Sequence, residues 1–246
     1  MAETIQQGEC IEKIMNAFAK IGHELTNKQA EQFFRYYELL VEWNGFMNLT
    51  GITDFEEVVC KHFVDSLSII STKDMSTVDN LIDIGTGAGF PGLPLKIAFP
   101  NVKVTLLDSL NKRIQFLNHV IEETGLTDIE TIHGRAEDFA KPGQKREQYD
   151  LCVSRAVANL ASLSEYCLPY VKIGGEFISY KSGEIEEELS DAKGAVFLLG
   201  GRLEECSTFI LPGTDIHRSL VKIVKVNGCP KKYPRKSGLP TKSPLH

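Results

Sequence analysis

Long apolar runs are missing from this chain of 246 residues. No stretch approaches the roughly 20 apolar residues that a bilayer-spanning helix needs, so a transmembrane helix is excluded. Basic residues are missing from the start. Glu3 and Glu9 precede Lys13, the first cation, and no apolar core follows, so no secretory leader is expected. The six cysteines (Cys10, Cys60, Cys152, Cys167, Cys206 and Cys229) form no C-x-x-C pair. Their scatter implies the reduced thiols of a cytoplasmic protein rather than a disulfide framework. The six histidines share no metal-ligand spacing with each other or with the cysteines, and no structural metal is expected. Internal repeats and low-complexity tracts are also lacking.

What is present is enough apolar material, 42% of residues, for one large domain or a domain with an appendage. The net charge of −6 conceals an asymmetry. The segment from Gly228 to His246 holds Lys231, Lys232, Arg235, Lys236 and Lys242 and no acid. Subtracting those 5 from 27 basic residues leaves 22 against 33 acids, or −11 for the rest. Such an acidic body with a basic end could address a polyanion locally; a merely solvated terminus is the plain alternative.

The first part of the chain reads as helical. Ile11, Ile14, Phe18 and Ile21 recur at spacings of three and four. Thr26 with Gln29 has the form of a capping box opening a second helix that runs to about Trp43. Asp54 with Glu57 suggests another start, and His62 to Ile70 continues in helical style. The aromatics Phe33, Phe34, Tyr36 and Tyr37 are expected to pack rather than to stack on bases.

From Val78 the pattern changes to short apolar runs, the signature of strands covered on both faces: Val78–Ile84, Val102–Leu107, Ile129–His133 and Tyr149–Ser154. Helical segments separate them, at Gly92–Ala98, Asn111–Thr124 and Ala136–Phe139. A helix over about Asn159–Val171 and a fifth strand at Gly175–Lys181 follow. This alternation predicts a parallel α/β sheet with right-handed crossovers. After a helix at about Ile185–Leu198, the strands Leu203–Leu211 and Ser219–Val226 are joined only by a short turn around Pro212-Gly213, so they must pair antiparallel. The expectation is therefore an α/β, Rossmann-like, seven-stranded sheet, mostly parallel with an antiparallel last strand. A helical cap over residues 1–76 precedes the core at 77–227, and a basic, proline-rich tail covers 228–246.

The first strand ends in Asp83-Ile84-Gly85-Thr86-Gly87-Ala88-Gly89-Phe90-Pro91-Gly92. Gly85, Gly87 and Gly89 permit a tight turn and a close backbone approach to a ligand. A nicotinamide fingerprint, G-x-G-x-x-G, fits only in poor register: started right after the strand at Gly85, it finds Phe90 at its third glycine. Asp108, 19 residues beyond Gly89 at the end of the second strand, is placed to accept from a ribose diol. Asp83 is buried at the strand end and needs a specific partner. With both acids and the terminal hairpin, the ligand predicted is S-adenosyl-L-methionine, Asp83 supporting the loop and facing the cofactor's amino-acid end. Ala136 and Glu137, after the third strand, suit an adenine edge or equally a helix start. Arg155, leaving the fourth strand, could hold a carboxylate or phosphate at the edge where such sheets carry their chemistry.

The chain resembles the GidB/RsmG family of bacterial 16S ribosomal RNA guanine-N7 methyltransferases. Motifs spread over nearly everything after residue 25 carry the likeness: Trp43-Asn44 with Asn48-Leu49-Thr50, His62-Phe63-Val64-Asp65-Ser66-Leu67, the glycine loop ending Phe90-Pro91-Gly92, Gly134-Arg135-Ala136-Glu137, Ser154-Arg155-Ala156, and Tyr233-Pro234-Arg235-Lys236-Ser237-Gly238-Leu239-Pro240. The resemblance implies a class I methyltransferase sheet with a helical N-terminal cap. It implies S-adenosylmethionine contacts at Gly85, Phe90, Ala136, Glu137 and Arg155, and a guanine of small-subunit RNA near the decoding centre as substrate.

Guanine N7 carries an in-plane lone pair, so its methylation needs positioning more than a general base. That suits a sequence without a persuasive catalytic triad. His62 and Asp65, the best candidates for a base, are read as structural. Arg155 with Asn44 and Asn48 is expected to line the base pocket, and Lys231, Lys232, Arg235 and Lys236 to form an extended strap against phosphates. The partner is 16S ribosomal RNA or the small subunit, the location cytoplasmic, the working form a monomer. A nicotinamide-dependent oxidoreductase and a nucleotide-binding protein without chemistry are the competing readings.

Overall fold

A computed structural model describes residues 2–155 and 157–246; Met1 and Ala156, the latter within the Ser154–Ala158 segment, lie outside the described residues. The helical part comprises α1 (Ala2–Ala19), α2 (Asn27–Met47), α3 (Phe55–Val58) and α4 (Asp65–Leu67). Thr26 caps α2 as anticipated: its hydroxyl accepts from Gln29 N while the Gln29 side chain accepts from Thr26 N. The helix runs one turn beyond Trp43, because Asn48 in a left-handed conformation (φ 53°) and the Asn44 side chain close it later. The stretch around His62 is not the plain helix its periodicity suggests. Val59–Val64 forms a π-helical turn between α3 and α4, a widening of the kind that often marks a functional segment.

The sheet contains β1 (Asn80–Ile84), β2 (Lys103–Asp108), β3 (Ile129–His133), β4 (Tyr149–Arg155), β5 (Val171–Ser182), β6 (Gly201–Ile210) and β7 (His217–Lys225). Its order is β3-β2-β1-β4-β5-β7-β6. β1 to β5 are mutually parallel, and β7 is antiparallel to both of its neighbours. The crossovers carry α5 (Gly92–Ala98), α6 (Asn111–Thr124), α7 (Ala136–Phe139), α8 (Leu160–Cys167) and α9 (Glu186–Leu198), and α10 (Leu239–Lys242) lies near the C-terminus. The order switches direction between β1 and β4, the place where open α/β sheets bind ligands.

Two apolar cores flank the sheet. One joins α1 and α2 to one face of the sheet through Phe18, Phe33, Tyr36, Phe63 and Phe116, all fully buried. The other packs α8 and α9 on the opposite face. The aromatics of the first core form a chain that reaches the glycine loop: Phe33–Phe63 at 5.0 Å, Tyr36–Phe63 at 5.3 Å and Tyr36–Phe90 at 5.5 Å between centroids. The Tyr36 hydroxyl, 52 residues away in sequence, donates to Ala88 O within that loop. Burying such a ring contributes about 1.5–3 kcal/mol, so the helical segment fixes the loop as well as covering the sheet.

The tail is not the extended strap expected from its prolines. Tyr233 and Pro240 are buried, and the Arg146 guanidinium donates to the carbonyls of Cys229, Pro230 and Tyr233. Arg235 therefore needs correction as an RNA contact. Its guanidinium grips Glu165 of α8 with Nε at 2.9 and 3.0 Å and Nη2 at 2.6 Å. A carboxylate sealed from water demands such a partner, and that demand holds Arg235.

Candidate functional site

The glycine loop is built around Asp83. Its Oδ2 accepts from the Thr86 hydroxyl at 2.7 Å and from Gly92 N at 2.8 Å, tying both ends of the loop to the strand. Its Oδ1 is buried with no hydrogen-bond partner among the described residues. Burial raises the carboxyl pKa to about 6, against the opposing pull of the Thr86 and Gly92 bonds and of Arg155. Asp83 thus ties the loop together from a side chain that is fully buried.

The three glycines have different duties. Gly85 (φ 71°) lies so close to Val157 that an added Cβ would stand 2.7 Å from its Cγ2. At Gly89 (φ 104°) a Cβ would strike Leu93 and the Tyr36 hydroxyl, so close packing there requires glycine. Gly87 (φ 63°) has open space where its Cβ would be, and it alone offers bare backbone outward. Asp108 holds the loop from the second strand, its Oδ2 accepting from Gly87 N at 2.9 Å and from Arg113, its Oδ1 from Leu110 N.

A cavity of about 330 Å³ opens beside this loop, lined by Gly85, Asp108, Ala136, Glu137, Arg113 and Tyr166 among others. Four residues expected at the cofactor (Gly85, Asp108, Ala136, Glu137) therefore converge. Arg113 and Tyr166 were missed, and the cue available was only their neighbourhood to Asp108 and to α8. A carboxylate at a strand end and a second near a helix start provide acceptors for a ribose diol and an adenine amine, while the glycine turn leaves room for a chain to pass. These features fit S-adenosylmethionine.

A second cavity of about 590 Å³ adjoins it, lined by His62, Asp65, Arg155, Tyr180, Lys181 and Arg218 among others. Val157 lines the first cavity and its neighbour Ala158 the second. Asp65, 2% exposed, bridges two guanidiniums: Arg155 at 3.0 Å and Arg218 at 2.8 Å. No local sequence pattern could have announced that pairing, since Arg218 lies 153 residues from Asp65. Phe90 is sandwiched between His62 (4.5 Å, 24° between planes) and Tyr36, with the Arg155 guanidinium 4.9 Å over its ring. Phe90 therefore backs the site; its ring lies within the stack, among the lining residues of neither cavity. Burial, reinforced by Arg155, lowers the His62 pKa to about 4, leaving a neutral ring that hydrogen-bonds Thr50 at 2.8 Å. His62 and Asp65 are thus held by Thr50, Arg155 and Arg218 at the wall of this cavity.

Asn44 and Asn48 need correction. The Asn44 side-chain Oδ1 accepts from Leu49 N at 2.7 Å and Thr50 N at 2.9 Å, and Asn48 ends α2; neither lines either cavity. The amides of the residues just past the helix need acceptors of their own and take such a side chain first. Of the tail residues, Lys231, Lys232 and Lys236 are exposed, whereas Arg235 is committed to Glu165.

A seven-stranded sheet with β7 reversed, and a nucleoside-sized cavity at its switch point, define the Rossmann-like fold of the class I methyltransferases. A sequence model of the GidB family, described as rRNA small subunit methyltransferase G, matches residues 29–216, and the chain belongs to that family. It is 58% identical over 225 residues to ribosomal RNA small subunit methyltransferase G of Lachnoclostridium phytofermentans, covering 92% of this chain and 93% of that one. The protein of the same name from Clostridium novyi is 49% identical over 94% of this chain and 96% of its own length. Among solved structures, an MtNAS mutant in complex with S-adenosylmethionine shares the fold with a TM-score of 0.53 at 15% identity, over 88% of this chain and 78% of its own.

Proposed function

We propose that the chain transfers a methyl group from S-adenosylmethionine to N7 of a guanine in 16S ribosomal RNA of the small subunit, as a monomer in the cytoplasm. The observation that carries this reading is the pair of adjoining cavities at the carboxyl edge of the sheet. One is lined by the acceptors a nucleoside cofactor needs, the other by Arg155, Lys181 and Arg218, cations suited to a nucleotide.

The cofactor supplies an electrophilic methyl on sulfur. Asp108 would hold its ribose hydroxyls, and Ala136 with Glu137 its adenine. Arg155, fixed by Asp65 and stacked on Phe90, would hold the cofactor carboxylate or the incoming nucleotide in line. N7 brings its own lone pair, so the neutral, weakly basic His62 is not required to remove a proton. What these residues contribute is orientation and exclusion of water. Lys231, Lys232 and Lys236 would contact phosphates, adding affinity without sequence choice. Calorimetric titration tests the cofactor assignment: S-adenosylhomocysteine is expected to bind and NADH not, and Arg155→Ala is expected to weaken the binding or the transfer. Binding of NADH alone would overturn the reading.

A further inference from the structure

We infer that Lys181 and Glu188, paired at the wall of the second cavity, read the Watson–Crick edge of the target guanine and exclude other purines. The inference rests on the guanine-N7 reading above. A guanine that turns N7 toward the methyl donor presents O6 beside it, with N1–H and the exocyclic amine pointing away. Its pocket must then offer a donor for O6 next to an acceptor for N1–H and the amine.

Two carboxylates line the cavity, Asp65 and Glu188. Asp65 is spent, one oxygen on Arg155 and the other on Arg218, with a side chain only 2% exposed. Glu188 is placed differently. Its Oε1 accepts from Lys181 at 2.6 Å and from Leu160 N, while Oε2 has no hydrogen-bond partner among the described residues and the side chain is 27% exposed. An ammonium has three donors, and Lys181 uses two, on Ala158 O at 2.7 Å and on Glu188. One donor and one carboxylate oxygen are thus left on paired side chains that both line the cavity, the combination that O6 and N1–H of guanine require. Adenine would set its amine against the lysine and its bare N1 against the carboxylate, leaving the free donor and the free oxygen of the pair without partners, a mismatch that polar pockets reject strongly. Inosine keeps O6 and N1–H but lacks the amine.

The test uses small subunits reconstituted with guanosine, inosine or adenosine at the nucleotide that the wild-type enzyme methylates. For wild type, kcat/KM is expected to favour guanosine over inosine by about 10- to 100-fold, the discrimination of a good bidentate contact. Glu188→Gln is expected to bring that ratio close to one, with S-adenosylhomocysteine affinity unchanged. Glu188→Asp, which keeps the charge and shortens the reach, is expected to fall between, and it serves should the glutamine variant fold poorly. A guanosine-to-inosine ratio that stays at the wild-type value in both variants, even with slower rates, overturns the inference. Failure of the wild-type enzyme to methylate the guanosine particle instead overturns the guanine-N7 reading beneath it.

Discussion

Replacing Arg235 by alanine removes three side-chain hydrogen bonds from Glu165, whose side chain is 0% exposed. Only the amide of residue 235, at 2.7 Å, would remain to a carboxylate on the buried side of α8. Deleting one partner of a buried pair costs about 3–5 kcal/mol, because the other charge is stranded. For a chain of this size, each kcal/mol lowers Tm by roughly 2–4 °C, so thermal unfolding is expected to shift by about 6–20 °C. The loss has a ceiling, since the last residues can peel off and let water reach Glu165. That route also gives up the burial of Tyr233 and Pro240 and the bonds from Ser162 to Pro240 O and between Tyr166 and Thr241, so peeling should appear as early tryptic cleavage at Lys231 and Lys232. The neighbouring Lys236→Ala, on an exposed side chain, should stay within about 0.5 kcal/mol of wild type. If Arg235→Ala melted with wild type while losing RNA affinity like the lysine variants, the guanidinium would be serving phosphate, and the structural assignment would be wrong.

Gly85→Ala should abolish S-adenosylhomocysteine binding in calorimetry, since φ of 71° strains any side chain and the new methyl would collide with Val157; near-wild-type affinity would refute that geometry. Asp83 titrates with a sign that can be checked. Its folded pKa of about 6 lies above the unfolded 3.8, so the folded state holds the proton more tightly. The contribution is fully present below about pH 3.8 and is lost as pH rises to about 6, by about 3 kcal/mol. Asp83→Asn, measured against wild type by denaturant unfolding, should therefore gain relative stability of about that size between pH 4 and pH 7; a flat difference would contradict the buried-carboxylate account. Changing Lys231, Lys232 and Lys236 together to glutamine should flatten the dependence of RNA affinity on salt by about 2–3 in log–log slope, and an unaltered slope would remove these lysines from the interface.

The elements were legible because their causes are local. Apolar runs from Val78 onward, the Thr26 capping box and the short Pro212-Gly213 connection each act within a few residues, and the strands fall within a few positions of expectation. Asp108, Gly85, Ala136 and Glu137 were legible for the same reason: they follow strands, and strand ends converge at one edge. What sequence patterning could not show is which polar groups are already claimed by tertiary partners. Asn44 caps its own helix, Arg235 answers a buried glutamate 70 residues away, and Asp65 bridges two arginines from distant strands. Phe90 likewise stacks on Tyr36 and His62, partners that its place in the glycine loop does not announce.

The central claim is that the two adjoining cavities bring a methyl donor to N7 of a ribosomal guanine. Small subunits from cells lacking this activity, incubated with the protein and S-adenosylmethionine carrying a labelled methyl, test it most directly when the digested RNA is resolved by mass spectrometry. The account predicts label in 7-methylguanosine at one position of the small-subunit RNA, and none when Gly85 is replaced by alanine. Label on another atom or base, or no label with a protein that binds the cofactor, would contradict it.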